Sequence, residues 1–129
     1  AQMAFAYARA TVPRICAILR KSYGGAYIVM DSRHIGNDMM LAWPSAEIAV
    51  MGAKGAVEIL HRKASDEERV ALVSAYEERL LNPYIAAERG SVDQVIEPAD
   101  TRSALAAALD VLIGKRERLP KRRHDNTPL

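Results

Sequence analysis

A single cysteine, Cys16, leaves the chain unable to form an internal disulfide, which excludes the stapled frameworks of small secreted domains and fits a reducing compartment. Aromatic residues are scarce too, at one Trp, one Phe and five Tyr. That is a lean supply for a freestanding core and thin for any base-stacking surface. No apolar run approaches the roughly 18 residues a bilayer-spanning helix requires, so no membrane segment is expected. No basic n-region precedes an apolar stretch, so no secretory signal is expected either. Internal repeats and low-complexity segments are missing. What is present is ordinary globular material: 129 residues, 50% hydrophobic and 26% charged, a balance that argues against disorder and fits one domain.

The net charge of +2 is unevenly placed. Residues 1–114 carry 12 basic against 14 acidic side chains, a balance of −2, while residues 115–129 carry six basic against two acidic, a balance of +4. Lys115, Arg116, Arg118, Lys121, Arg122 and Arg123 follow a helix that Gly114 closes, where cations complement the helix dipole. No aromatic residue interleaves with them, so a solvated end or a partner contact is expected and a nucleic-acid partner is not.

Along the chain, an Ala-rich segment from Gln2 to Ala10 reads as a helix without a capping residue, as if entered in mid-element. Thr11-Val12-Pro13 stops it. Arg14 to Leu19 reads as a buried strand, followed by Tyr23-Gly24-Gly25-Ala26-Tyr27 and a helix start. Met39 to Trp43 and Glu47 to Met51 are further strand candidates, and Gly52 to Lys63 reads as a helix. Ser65 or Asp66 caps a long helix to Leu81, Asn82-Pro83 opens another toward Glu88, and Gly90 suits its C-terminus. Val92 to Ile96 reads as a short strand. Asp100 or Thr101 caps a last helix with Leu105, Leu109, Leu112 and Ile113 at helical spacing. Strands alternating with helices predict an α/β class with parallel pairing.

The glycine pair is the sharpest local feature. Two glycines allow a sharp turn and close ligand approach, and a helix that starts there aims free N–H groups at whatever lies above. Such an arrangement holds a phosphate or a developing oxyanion; taken alone, the pair more often marks a plain turn. Its spacing matches neither a Walker loop nor a dinucleotide fingerprint. Elsewhere the chemistry is sparse. Cys16 reads as an inert core thiol. His34 with Asp31 and Asp38 matches no metal-ligand spacing. His61 caps or packs, and His124 belongs to the tail. Ser22 lacks a nucleophile-elbow context. Trp43-Pro44 and the methionines read as packing.

Three ordered strings carry a resemblance. Thr11-Val-Pro-Arg-Ile with Arg20-Lys-Ser-Tyr-Gly-Gly-Ala-Tyr27, then Ala42-Trp-Pro-Ser-Ala-Glu-Ile-Ala-Val-Met-Gly-Ala-Lys-Gly-Ala-Val57, and finally Lys121-Arg-Arg-His-Asp-Asn-Thr-Pro-Leu129 resemble the carboxyltransferase β subunit of biotin-dependent acyl-CoA carboxylases, of the acetyl- and propionyl-CoA type. The likeness covers the whole chain but only the C-terminal portion of such subunits, which contain two crotonase-like domains. It implies that residues 1–129 form part of the C-terminal carboxyltransferase domain, a partial crotonase-like (ClpP/crotonase) α/β fold with 115–129 as a basic tail and no counterpart of the N-terminal domain.

By this resemblance the enzyme transfers CO2 from carboxybiotin to the α-carbon of a short-chain acyl-CoA. Gly25 and Ala26 supply backbone N–H donors to the biotin ureido oxygen, and Gly24 and Tyr27 join them in binding biotin. Ile28 stands where acyl-chain preference is set; several propionyl-preferring members are acidic there, and isoleucine departs from that pattern. Lys54 replaces a commonly acidic residue, and nothing in the sequence explains it. The implied partners are acyl-CoA, a biotinylated or biotin carboxylase α subunit, and further β subunits in a dimer-based oligomer up to a hexamer. The implied location is cytoplasmic, or the mitochondrial matrix in a eukaryote, without metal. The isolated chain, holding part of a half-site, is expected to be inactive. Alternatives are the α subunit of a biotin-dependent acyl-CoA decarboxylase, a non-catalytic interaction module, or a crotonase-type hydratase, which needs a pocket carboxylate for which Glu47 is the nearby candidate.

Overall fold

A computed structural model describes residues 2–118; most of the expected basic tail, with His124 and the terminal string, lies outside them. Helix α1 (Gln2–Arg9) leads to β1 (Ile15–Ile18) and β2 (Lys21–Tyr23), then α2 (Gly24–Val29) and a 3-10 turn (Arg33–Ile35). The pattern of two strands and a helix repeats with β3 (Met39–Ala42), β4 (Glu47–Ala49) and α3 (Ala53–Leu60). Helices α4 (Asp66–Leu80) and α5 (Pro83–Glu88), strand β5 (Gln94–Val95) and helix α6 (Thr101–Leu112) complete it.

All strand pairing among the described residues is parallel, in two sheets. One has the order β1-β3-β5 and the other pairs β2 with β4. The expected strand from Arg14 to Leu19 therefore ends at Ile18. The chain turns there, and the Trp43 N–H donates to Ile18 O at 2.9 Å. Lys21-Ser22-Tyr23, with no apolar run to announce it, becomes a strand because Glu47-Ile48-Ala49 lies beside it in register. The Val92–Ile96 candidate shrinks to two residues because only Leu41 and Ala42 face it in the ladder.

Helix ends follow local chemistry. Ser65 makes a full capping box with Glu68: its Oγ accepts from the Glu68 N–H, and the Glu68 carboxylate accepts from the Ser65 N–H. Asn82 Oδ1 accepts from the Ile85 N–H at 3.1 Å, with Pro83 at the first helical position. His61 terminates α3 earlier than the Lys63 expected, its N–H donating to Val57 O.

The core is small and built largely from Ile18, Met40, Ala42, Ala46, Ala86 and Val92, with Cys16, Tyr27, Ile48 and Val95 packed at its edge. Met40 and Leu41 are wholly buried, each contributing about 1.5–3 kcal/mol by removal from water. No described aromatic residue is fully buried, and Val50, Val70, Val111 and Ile113 are all more than 70% exposed. Helix α6 buries Ala108 while Leu109 and Ile113 face outward, so its apolar stripe is only partly used. No helix among the described residues is long and apolar enough to cross a membrane.

Candidate functional site

The glycine pair joins the second sheet to α2. Tyr23, the last residue of β2, is extended, and Gly24 turns into the helix at φ +58°. A Cβ at Gly24 would stand 2.9 Å from Val50 O, so both the dihedral and the space demand glycine there. Gly25 differs: a Cβ there would meet nothing within 4 Å. Gly25 and Ala26 are the second and third residues of the helix, where N–H groups have no intrahelical acceptor. Tyr23 itself is held by its hydroxyl, which donates to the Glu47 carboxylate on the paired strand.

Above this turn lies a cavity of about 440 Å3. Gly24, Gly25, Tyr27 and Ile28 form one wall, Ile48, Ala49 and Val50 a second, and Tyr76, Leu80 and Ile85 from α4 and α5 a third. His34, Arg89 and Ser91 supply its polar lining. Ala26 faces the other way, onto a neighbouring groove with Cys16, Tyr23 and Met30. The structure thus brings Gly24, Gly25, Tyr27 and Ile28 to one cavity and turns the side chain of Ala26 out of it. Its backbone N–H still belongs to the first turn of α2.

No carboxylate lines the cavity among the described residues. Glu47, the acid a hydratase would require, lines a separate depression with Pro44, Leu81 and Asn82 and is engaged by Tyr23. Burial pushes the Tyr27 phenol up, with Cys16 adding to it and Arg33 opposing it, so the phenol keeps its proton at neutral pH. The Tyr27 ring meets His34 edge-on, centroids 6.0 Å apart. Burial, reinforced by Asp31, also pushes the Cys16 thiol up; it stays protonated and a poor nucleophile, matching the inert thiol expected. His34 packs on Tyr27, and Asp31 pairs with Arg14 at 2.6 Å. The Trp43 indole N–H donates to Thr101 Oγ1 at 2.9 Å, a packing role for Trp43 as expected.

The arrangement offers backbone N–H donors beside an open space with mostly apolar walls and no acidic base. That suits stabilisation of negative charge on a ligand oxygen better than proton abstraction by a side chain. Residues His34, Tyr76, Arg89 and Ser91 were not singled out as cavity-lining in the sequence. They converge from three separate segments, and no local spacing marks them.

Comparisons with known proteins point to one family. The family model described as "Carboxyl transferase domain" matches residues 1–127. A propionyl-CoA carboxylase beta chain from Roseobacter denitrificans is 52% identical across 100% of this chain and 26% of its own length. The methylmalonyl-CoA carboxyltransferase 12S subunit of Propionibacterium freudenreichii subsp. shermanii is 48% identical across 99% of this chain and 26% of its own. A solved structure of transcarboxylase 12S, a hexamer with methylmalonyl-CoA bound, superposes with a TM-score of 0.92 at 48% identity, covering 99% of this chain and 25% of that one. The chain therefore spans about a quarter of the length of the curated relatives it matches.

Proposed function

The chain belongs to the carboxyl transferase family, with the crotonase-like α/β fold of its structural neighbours, and from that premise we propose that it is the C-terminal part of an acyl-CoA carboxylase carboxyltransferase subunit. In this reading the subunit transfers CO2 from carboxybiotin to the α-carbon of a short-chain acyl-CoA, and this segment provides the oxyanion hole for biotin. The observation that carries it is the start of α2 at Gly24-Gly25, opening at the wall of the 440 Å3 cavity.

The residues fit such a group. Open space stands where a Gly25 side chain would be, and the cavity falls within the range of small-molecule sites, about 300–1,000 Å3. Bound biotin supplies an activated carboxyl group and a ring nitrogen able to take the α-proton. The N–H groups of Gly25 and Ala26 would donate to the ureido oxygen of bound biotin and stabilise negative charge there. Fixed before the charge appears, they need no reorganisation to stabilise it. Gly24 keeps the turn tight enough to present them, and Tyr27, neutral and half-buried, walls the ring. Ile28, 43% exposed on the same face, meets the acyl chain and favours an apolar group there. The biotin is carried by a partner subunit or domain, and the acyl-CoA is completed by residues outside this segment, in an oligomer of like subunits.

The test is Gly25→Asp in the complete subunit with its biotin-carrying partner. A carboxylate beside the developing charge is expected to lower carboxyl transfer by at least about 100-fold, the loss typical of disabling one oxyanion donor. Transfer at the unaltered rate would remove the assignment.

A further inference from the structure

Asp31 is the one non-glycine residue with a positive φ among the described residues, at 63°. It is also an acid whose side chain is only 10% exposed. A left-handed backbone costs an L-residue about 1–2 kcal/mol, and burying a carboxylate costs more unless it is paired. Glycine would suit the backbone better and an apolar residue the burial; aspartate is tolerated in the left-handed region but is costly to bury. Local conflict of this kind persists where the surroundings fix it, and it gathers at functional sites.

Here the surroundings are an ion pair. Arg14 Nη1 donates to Asp31 Oδ1 at 2.6 Å, with the Arg14 side chain 8% exposed. Arg14 is itself locked: its guanidinium donates to the carbonyls of Ile35 and Gly36, and its N–H donates to Asp38 Oδ2 at 2.8 Å. It directly precedes β1, whose first residue is in register with Met39. Burial, reinforced by Asp38, leaves the Asp31 carboxyl above its usual range, and the bond from Arg14 offsets part of that cost.

What Asp31 holds is α2. The helix ends at Met30, whose N–H donates to Ala26 O at 3.0 Å. On the other side of Asp31, the N–H and Oγ of Ser32 both donate to Ile28 O, at 3.4 and 3.2 Å. Asp31 stands between the two groups that close the last turn. With only six residues, α2 is roughly 9 Å long, so moving its last turn moves its first. We infer that Asp31 is a positioning residue: its buried pair with Arg14 anchors α2 to the central sheet and sets the direction in which Gly25 and Ala26 present their N–H groups. This rests on the proposed role of those two groups.

Two variants of the complete subunit test it. Asp31→Gly keeps the left-handed backbone comfortable and deletes the pair; Asp31→Asn also tolerates that backbone and keeps an acceptor for Arg14. With the biotin-carrying partner present, Asp31→Gly is expected to lower kcat about tenfold while KM for acyl-CoA stays within twofold, since misplacement by an ångström costs up to about 100-fold. Asp31→Asn should recover most of that loss. Hydrogen exchange, read without substrate or biotin, should quicken over residues 24–32 in Asp31→Gly and stay unchanged over α4. Unaltered kcat in Asp31→Gly, or exchange quickened evenly through the segment, overturns the inference. Gly25→Asp in the same preparation separates the two readings. If it still transfers carboxyl, the oxyanion hole itself is wrong; if it is inactive while Asp31→Gly works normally, only the positioning is.

Discussion

Replacing Gly24 with alanine sets the two halves of the glycine pair against each other. At Gly24 an L-residue would sit at φ +58°, a cost of about 1–2 kcal/mol. The added Cβ would stand 2.9 Å from Val50 O, a backbone atom that cannot rotate away, and overpacking of that kind costs about 1–3 kcal/mol. Lower entropy of the unfolded chain returns about 0.4–1 kcal/mol. The net loss falls between about 1 and 4.6 kcal/mol, and a value in the middle of that span, about 2–3 kcal/mol, is expected where β2 and β4 meet α2. Gly25→Ala is the control, because its Cβ would meet nothing within 4 Å and alanine favours a helix over glycine by up to about 1 kcal/mol. Native-state hydrogen exchange of the complete subunit reads the difference locally. At about 1.4 kcal/mol per tenfold, amides around 23–29 should exchange some 30-fold faster or more in Gly24→Ala, and no faster in Gly25→Ala. Equal acceleration in both would refute the distinction drawn between the two glycines.

Two further outcomes are expected. Lys115 donates to Asp38 Oδ2 at 2.9 Å; that bond raises the Lys115 ammonium, while at Asp38 desolvation is outweighed by the bonds from Lys115 and the Arg14 N–H, so its carboxyl sits below the usual range. The Asp38 contribution is present above about pH 4 and lost as pH falls through its lowered value, and the Lys115 contribution is present below about pH 10 and lost as pH rises through its raised value. Lys115→Met should therefore lower the melting temperature between those limits, and the difference from the parent should shrink under strong acid. Ser65→Ala, breaking the capping box of α4, should cost about 1 kcal/mol and quicken exchange in the first turn of α4 without altering carboxyl transfer.

How much of this was legible in the sequence depends on the range of the interaction. The cap at Ser65, the Asn82-Pro83 start and the turn at Gly24-Gly25 are each decided within four residues, and the sequence shows them. Strand β2 is not, because Lys21-Ser22-Tyr23 has no apolar signature and exists only because β4 lies beside it. The split cavity wall is similar: one helix presents Ile28 to the cavity, Ala26 to the next groove and Tyr27 to both, and only the angle of α2 on the sheet decides which. The family strings identified the chain as a carboxyl transferase, but they could not reveal that Asp31 and Arg14, 17 residues apart, meet beneath that helix.

The contact of Lys115 with Val12 O, 103 residues earlier and 3.3 Å away, has a consequence for the order of assembly. Within this segment β3, the partner of β1, ends at Ala42, and β4, on which β2 and the glycine turn lean, ends at Ala49, so all of these precede the clasp in the order of translation. The clasp that fastens the foot of β1 to the end of α6 has no cation until nearly the whole described segment has left the ribosome. Until then Asp38 accepts from the Arg14 N–H but lacks the Lys115 ammonium, and the segment stays unlatched at that end.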